Sequence, residues 1–341
     1  MNRIFLFIIL LLGLLFNACE KKGHEIIVPA DKNSGKCDTM KVNPDDIGNP
    51  NDETDDSLYW HTFYLEKLLQ QNCSGIEEWI GSGSASGQGF DVFGNYLIGF
   101  TSSMDYFRVS DMKKRLFLGR FLSGFGHIEA RHANCQNFTN EYFEAGDEFP
   151  LLLVSGNESR AGEDLLGVAY LVRIERNEDT FSVSLVQTIK TVPGIYVDKN
   201  GSKFLFNKYS NIMVDRSDGH IYVINNSDIY EMNLPPLYDE QGHLNSLAEL
   251  SVDKVIRHIQ FTYSDMAAQG AYIYNHIAYI ASGTSRYYID VVDLSSGQYL
   301  AKVNLAEIGF YYEPEDISFW RGSMVICSSS QMGIYRVYWD R

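Results

Sequence analysis

A segment of ten residues occurs twice in this chain, and this repeat constrains the fold more than any other feature. Residues 88–97 read QGFDVFGNYL, and residues 269–278 read QGAYIYNHIA. Two further copies of the pattern, strand, tight turn and second strand, align at residues 211–223 and 316–326. A supersecondary unit that recurs buries its apolar face against its neighbouring copies. The repeat therefore predicts a modular architecture and leaves the activity open.

Short β-prone runs separated by turn residues fill the chain after residue 88. They are residues 96–100, 151–154, 170–174, 181–186, 220–224, 278–281 and 324–327. Propeller blades contain about 40 to 50 residues, so the roughly 180 residues between the two clearest copies correspond to about four blades. We expect an all-β fold, a six-bladed β-propeller over residues 88–341, with a segment near Ile76 to Ile80 supplying the outer strand of the last blade. A two-sheet sandwich is the alternative, but it does not require a long-period repeat.

The N-terminus has the features of a lipoprotein signal. Arg3 supplies positive charge, residues 4–16 are apolar apart from one glycine, and Cys19 ends a lipobox-like site. This run of about 13 residues is shorter than the roughly 20 that span a bilayer as a helix. We expect residues 1–18 to be a signal peptide that is removed, and Cys19 to carry acyl chains that anchor the protein in a membrane. Glu20 follows the cysteine in place of the aspartate of inner-membrane lipoproteins, which favours the outer membrane. An ordinary signal peptide with an incidental cysteine is the alternative.

The segment between the signal peptide and the propeller is polar at first and then amphipathic. Residues 19–56 predict a flexible acidic tether, because they cannot bury enough apolar surface to offset the entropy lost on ordering. A calcium-binding loop within residues 43–56 is the alternative, although the EF-hand order of ligands is absent. Apolar residues at roughly helical spacing over residues 57–71 predict one short N-terminal helix. With the glycine- and serine-rich linker that follows, residues 57–87 are expected to pack on the propeller.

Charge and cysteine content limit the classes of partner and cofactor. The net charge of −16 argues against nucleic acid, because a phosphate-binding surface needs clustered Lys and Arg. Apart from Cys19, the cysteines are Cys37, Cys73, Cys135 and Cys327. They allow three disulfide pairings, and free buried thiols are equally compatible with the sequence. Because no two of them have the close spacing of a structural zinc site, we expect no cofactor.

Polar residues at the start of the predicted innermost strands form the candidate ligand site. In a propeller these positions surround one end of the central channel, where one ligand can contact several blades. The candidate ligand-binding residues are Gln88, His132, Asn134, Asn211, Gln269 and Glu315. The alternative is that these side chains cap strand ends and hydrogen-bond neighbouring blades. Neighbouring strand residues face opposite ways, so in each adjacent aromatic pair one ring is expected to pack between blades and the other could stack on a sugar. These pairs are Tyr106 and Phe107, Tyr287 and Tyr288, and Tyr311 and Tyr312, and packing of both rings in the core or between blades is the alternative.

A catalytic hypothesis uses His127, Glu129, His132, Glu313 and Glu315. On an extended segment His127 and Glu129 share one face, and together with Glu315 they could bind a divalent metal. A salt bridge from Glu129 to Arg131 or to a neighbouring blade is the alternative. Glu313 and Glu315 flank a proline, and a spacing of two residues separates their Cα atoms by about 6.6 Å, which overlaps the separation of glycosidase carboxyl pairs. The sequence contains no GxSxG, P-loop or dinucleotide-binding motif, so serine nucleophile chemistry, nucleotide hydrolysis and NAD use have no support.

These motifs together resemble a known group of proteins. The features that carry the resemblance are the lipobox at Cys19, the tether, the Gln-Gly pair at Gln88, and residues 132–138, 149–156 and 313–317. They are similar to uncharacterised Gram-negative lipoproteins with TolB-like six-bladed propellers, over roughly residues 88–341. With the anchor, the repeat and no catalytic signature, we expect an envelope protein facing the periplasm or the cell surface that binds a glycan, a peptide or a partner protein. The alternative function is a carbohydrate-active hydrolase or lyase.

Replacing Cys19 with alanine should abolish acylation and release the protein from membranes, because the thiol is the expected site of lipid attachment. Labelling cells with an alkyne-tagged fatty acid, followed by membrane fractionation, measures both effects. Cys135→Ala serves as the control and should keep the label. Label retained by Cys19→Ala would contradict the prediction.

Overall fold

The protein is described here by a computed structural model. Of the 341 residues it describes 26–27, 39–40, 73–125, 130–159, 167–206, 211–225, 228–260, 268–282, 287–321 and 323–339. The expected signal peptide, Cys19 and the expected helix over residues 57–71 lie outside these residues. Within the described ranges, no helix has the length and apolar character needed to cross a membrane.

The chain divides into two units, residues 1–48 and 49–341. In the first unit, β1 (Ile26–Ile27) pairs antiparallel with β2 (Thr39–Met40). In the second unit, the described helical residues form two 3-10 turns, Val252–Lys254 and Leu305–Ile308. The other regular structure that is described in this unit is β-sheet.

The second unit is a β-propeller. Its first described strand is β3 (Cys73–Ile80). The first blade consists of β4 (Asp91–Phe93), β5 (Tyr96–Phe100), β6 (Tyr106–Asp111) and β7 (Leu116–Leu122), and the second of β8 (Ala130–Phe138), β9 (Leu152–Ser159), β10 (Val168–Asn177) and β11 (Thr180–Thr191). After the hairpin β12 (Gly194–Val197) and β13 (Lys203–Phe206), the third blade consists of β14 (Asn211–Val214), β15 (His220–Asn225), β16 (Asp228–Asn233) and, beyond β17 (Leu247–Leu250), β18 (Val255–Gln260). The fourth consists of β19 (Ala268–Tyr274), β20 (Ile277–Ser282), β21 (Tyr288–Asp293) and β22 (Gln298–Asn304), and the fifth of β23 (Pro314–Trp320), β24 (Ser323–Ser328), β25 (Ile334–Trp339) and β3.

The strand β3 closes the fifth blade from the opposite end of the chain. It pairs antiparallel with β25, with Ile76 opposite Val337 and Ile80 opposite Ile334, as expected for the segment near Ile76 to Ile80. Trp79 joins this blade to the first one, because its indole N–H donates to the carbonyl of Met112 at 2.9 Å. Buried apolar clusters fill the space between neighbouring blades in the same way.

The described residues form five blades, so the expectation of six is wrong by one. The two copies of the QG segment lie in the first and fourth blades, three blades apart rather than four. Two insertions account for the extra residues. The hairpin β12–β13 stands between the second and third blades, and the excursion between β16 and β18 adds β17 as a parallel fifth strand to the second blade. The copies at residues 211–223 and 316–326 do form the first two strands of the third and fifth blades, as predicted.

Side-chain oxygens connect the first strands of successive blades. The first strand of each blade has one unpaired edge, which leaves backbone N–H groups to be satisfied. Three such groups donate to a side chain of the preceding blade: Phe90 to Asp316 (3.0 Å), Phe138 to Asp91 (2.6 Å) and Val214 to Asn137 (3.2 Å). A fourth bond joins the turns of the third and fourth blades, where the N–H of His276, between β19 and β20, donates to Asp215 (2.7 Å). We call these four bonds the inter-blade relay. Burial raises the pKa of the three aspartates in the relay above the usual value.

The repeated glycines are required by close packing where the first strands meet. A Cβ atom on Gly270 would lie 2.1 Å from Oδ1 of Asp316 and 2.8 Å from the carbonyl oxygen of Asn134. A Cβ atom on Gly89 would lie 2.6 Å from the same carbonyl. The glycine of the QG repeat is therefore a packing residue, because any larger side chain would overlap these atoms.

Gly270→Ala should lower the free energy of unfolding by about 3 kcal/mol, because the added methyl group overlaps a buried carboxylate and a backbone carbonyl. Gly81→Ala is the matched control, since its Cβ would meet nothing nearer than 3.8 Å. Chemical denaturation of both variants measures the difference. Equal stability of the two variants would contradict the close packing around Gly270.

Candidate functional site

The expected ligand site lies where the first strands of the blades begin. Three of these strands carry a β-bulge at this end, with the register shifting between Ala133 and Cys135, between Ala268 and Ala271, and between Pro314 and Asp316. A bulge turns a side chain out of the regular alternation of the ladder, and bulges are enriched next to functional sites. The bulged positions contain Asn134, Gln269 and Glu315, which are three of the six residues expected to bind a ligand.

A chain of side-chain hydrogen bonds connects the blades at this end. The amide of Asn134 donates to Oε1 of Gln269 at 2.6 Å, and the amide of Gln269 donates to Oε1 of Glu313 at 2.9 Å. Asn211 adds a bond from its amide to the backbone carbonyl of Gln269. Residues from four blades, or directly before them, thus meet around Gln269. We call Gln88, Asn134, Asn211, Gln269, Glu313 and Glu315 the mouth cluster.

Some side-chain oxygens of the mouth cluster receive no hydrogen bond from the described residues. The amide nitrogens of Asn134 and Gln269 donate within the cluster, and that of Gln88 donates to the carbonyl of Gly87 at 2.7 Å. Oδ1 of Asn134 and Oε1 of Gln88 are buried and have no hydrogen-bond partner among the described residues. The backbone segments that carry these two oxygens are neighbours, since the N–H of Gly89 donates to the carbonyl of Ala133 at 2.8 Å. The cluster therefore contains buried oxygen acceptors that no described donor satisfies.

Glu315 has an unusual acidity. Its side chain is 3% exposed, and burial raises its pKa to about 7, with a further increase from the negative charge of Glu313. A hydrogen bond with the side chain of Ser329 acts in the opposite direction. Because a carboxyl with this pKa is partly protonated at neutral pH, Glu315 can either accept or donate a proton under physiological conditions.

The structure places the remaining expected residues less centrally or not at all. The backbone N–H of His132 donates to the carbonyl of Ser102 at 2.7 Å, and His132 has a left-handed φ of 67° and a half-buried side chain. His127 and Glu129 lie outside the described residues, and so does the metal site that would use them. The catalytic hypothesis therefore has Glu313, Glu315 and His132 in the described structure.

The central cysteines are thiols. Cys135 and Cys327 are free and buried, and burial raises the pKa of both well above the usual value. The thiol of Cys327 donates to the carbonyl of Gln88 at 3.1 Å, and that of Cys135 to the carbonyl of Ala271 at 3.7 Å. Both therefore act as packing and hydrogen-bonding groups beneath the mouth cluster.

Sequence reasoning missed Asp316 as a central residue. Its carboxylate accepts hydrogen bonds from the N–H groups of Phe90 and Gln136, so it joins the fifth blade to the first and second. Asp91 and Asp316 are each fully buried. The available signal was a single aspartate within an apolar strand at the same place in two copies of the repeat.

Comparison with known proteins identifies relatives in structure only. The sequence matches no protein-family model and no curated protein. The crystal structure of Myxococcus xanthus glutaminyl cyclase is similar with a TM-score of 0.46 at 9% identity, covering 77% of this chain and 94% of that one. A structural-genomics protein of unknown function from Bacteroides thetaiotaomicron has a TM-score of 0.40 at 12% identity, covering 78% of this chain and 76% of that one. At these identities the likeness concerns the fold alone.

Glu315 should make the protein less stable as the pH rises. The pKa of this carboxyl is at its usual value of 4.5 in the unfolded chain and about 7 in the folded chain, so the folded state binds more protons between these values. The free energy of unfolding should fall by about 3 kcal/mol more in the wild type than in Glu315→Gln across this range. Buried aspartates shift in the same direction and are present in both proteins, so the difference isolates Glu315.

Urea denaturation at a series of pH values measures this difference. The exposed residue Glu240 provides the control, because Glu240→Gln should leave the wild-type pH dependence unchanged. Parallel curves for the wild type and Glu315→Gln would contradict the proposed burial of this carboxyl.

Proposed function

We propose that this protein is a lipid-anchored envelope protein that binds a ligand rich in hydrogen-bond donors at the mouth cluster, with a glycan as the leading class. One observation carries the proposal: among the described residues, no group donates a hydrogen bond to the buried oxygens of Gln88 and Asn134, while the neighbouring amide donors are used within the protein. The hydroxyl groups of a glycan are suitable donors. A peptide or a partner protein would supply N–H or ammonium groups instead.

The energetics favour a ligand at this place. A buried acceptor without a partner costs about 1 to 3 kcal/mol, and a ligand that donates to it removes this cost. Glu313 and Glu315 add carboxyl oxygens, which accept hydrogen bonds more strongly than neutral groups when ionised. A ligand with several hydroxyl groups at adjacent carbons satisfies such a set better than a ligand with one donor.

An exposed aromatic ring supports a sugar as the ligand. Tyr311 is 64% exposed, whereas Tyr312 packs against Phe310 and Tyr335 with ring centroids 5.5 and 6.1 Å apart. Tyr311 precedes Glu313 of the mouth cluster by two residues. An exposed aromatic face beside a set of oxygen acceptors fits the apolar face and the hydroxyl edge of a pyranose.

The proposed location follows from the sequence. A lipid on Cys19 would hold the protein at the outer membrane, and the resemblance to TolB-like lipoproteins supports an envelope role. The proposal includes no nucleic-acid partner, because the net charge of −16 would repel phosphate groups.

The raised pKa of Glu315 favours a second candidate function. A carboxyl that is partly protonated near pH 7 can act as the general acid of glycoside hydrolysis, and Glu313 supplies a second carboxyl two residues away. In this alternative, the same mouth cluster would bind the glycan, and Glu315 would protonate the leaving oxygen.

Binding to a panel of glycans, followed by calorimetry on each hit, tests the proposal. Gln269→Ala removes the residue around which the cluster is arranged, and Tyr311→Ala removes the ring, so each should weaken binding at least tenfold. Gln241→Ala, at an exposed turn, should bind like the wild type. Wild-type affinity in both mouth variants would place the ligand elsewhere.

Release of new reducing ends that stops in Glu315→Gln would favour the hydrolase.

A further inference from the structure

A second group of polar side chains lies at the opposite end of the blades from the mouth cluster. Asn211 begins β14 at the mouth, and Asp215 follows its other end. The turn after β14 also contains Asp218, and the turn between β19 and β20 of the next blade contains His276. One oxygen of each aspartate and Nδ1 of His276 lie within 4.8 Å of one another.

Backbone hydrogen bonds hold these three side chains in place. Asp215 accepts the N–H of Ser217 at Oδ1 and the N–H of His276 at Oδ2. Asp218 accepts the N–H of His220 at Oδ1 with a distance of 2.8 Å, and its Oδ2 lies 3.3 Å from Nδ1 of His220 and 3.6 Å from Nδ1 of His276. The hydroxyl of Ser217 also accepts the N–H of Asn275 at 3.1 Å, so the two turns are docked on each other.

The separations within this group fit a shared ion better than hydrogen bonds. Nδ1 of His276 is 3.5 Å from Oδ2 of Asp215 and 3.6 Å from Oδ2 of Asp218, which is longer than an N–H···O hydrogen bond. Ligand atoms at about 2.0 to 2.2 Å from a tetrahedral metal are about 3.3 to 3.6 Å apart. The two distances from Nδ1 of His276 already have that spacing, and the two aspartate oxygens lie within 4.8 Å of each other.

The local charge also favours a cation. Glu231, the nearby third carboxylate, is neutralised by Arg257 at 2.6 Å and contacts Nδ1 of His220 at 2.8 Å. No arginine or lysine among the described residues pairs with Asp215 or Asp218 in the same way. The hydroxyl of Tyr222 is 3.2 Å from Nδ1 of His276. One divalent ion would balance the two aspartates.

We propose that Asp215, Asp218 and His276 bind a divalent transition-metal ion that ties the turns of the third and fourth blades together. The imidazole nitrogen selects for Zn²⁺ and similar ions over Mg²⁺ and Ca²⁺, which prefer oxygen ligands throughout. A water molecule or the Tyr222 hydroxyl is positioned to complete the coordination. The site lies at the far end of the blades from the mouth cluster and does not depend on the proposed function.

Calorimetric titration of the untagged, full-length protein with Zn²⁺ tests this site. We expect one Zn²⁺ per chain, a higher melting temperature with Zn²⁺, and no comparable effect of Mg²⁺. His276→Ala and Asp218→Asn should each weaken Zn²⁺ binding at least tenfold. His243→Ala is the matched control, because His243 also lies 3.4 Å from an aspartate but belongs to no group of three ligands among the described residues.

Co²⁺ gives a second measurement that reports the ligands themselves. Its visible absorption should show tetrahedral or five-coordinate bands in the wild type and in His243→Ala, and lose them in His276→Ala. If His276→Ala does not fold, Asp218→Asn tests the site instead. The amide oxygen of this variant can still accept the hydrogen bond from the N–H of His220, so the turn should keep its structure. Zn²⁺ affinity equal to the wild type in Asp218→Asn, or equal stabilisation by Mg²⁺, would overturn the proposal.

Discussion

The inter-blade relay is the interaction on which the rest of this structure depends. The first strand of each blade is paired on one side only, and its free N–H groups face other strands at the centre, where water cannot reach them. An unpaired buried N–H is costly, so a propeller needs an acceptor at each of these places. Here short acidic and amide side chains supply the acceptors, and the glycines beside them let the backbones come close enough for the bonds to form.

The relay also explains why the two ends of the propeller differ chemically. At the mouth the amide side chains of Asn134 and Gln269 donate to one another and to Glu313, which leaves oxygen acceptors for a ligand. At the other end Asp215 takes part in the relay and keeps an oxygen near His276. The strand β14 runs between these ends, and its four-residue step from Asn211 to Asp215 covers about 13 Å. One short strand thus contributes to both candidate sites.

The difference between the expected and the observed number of blades shows what a sequence repeat can predict about a propeller. The QG segments mark equivalent strands correctly, and the outer strand near Ile76 to Ile80 could be predicted because an incomplete last blade needs a partner. Dividing the distance between the copies by an average blade length failed, because a hairpin and the additional strand β17 lie between them. Such insertions have the same alternating pattern as blade strands. Their pairing partners alone distinguish them.

The sequence by itself determined that the chain forms a modular β-fold, and it placed Gln88, Asn211, Gln269 and Glu315 at or just before strand starts, whereas the predicted residues His132 and Asn134 lie within β8. These features depend on local patterns of apolar residues and turns. Only the tertiary structure decided that Gln269 bonds to Asn134 and Glu313, that burial raises the pKa of Glu315, and that Asp215, Asp218 and His276 meet. These three observations depend on contacts between residues far apart in the chain and on the exclusion of water. A local sequence pattern contains no information about either.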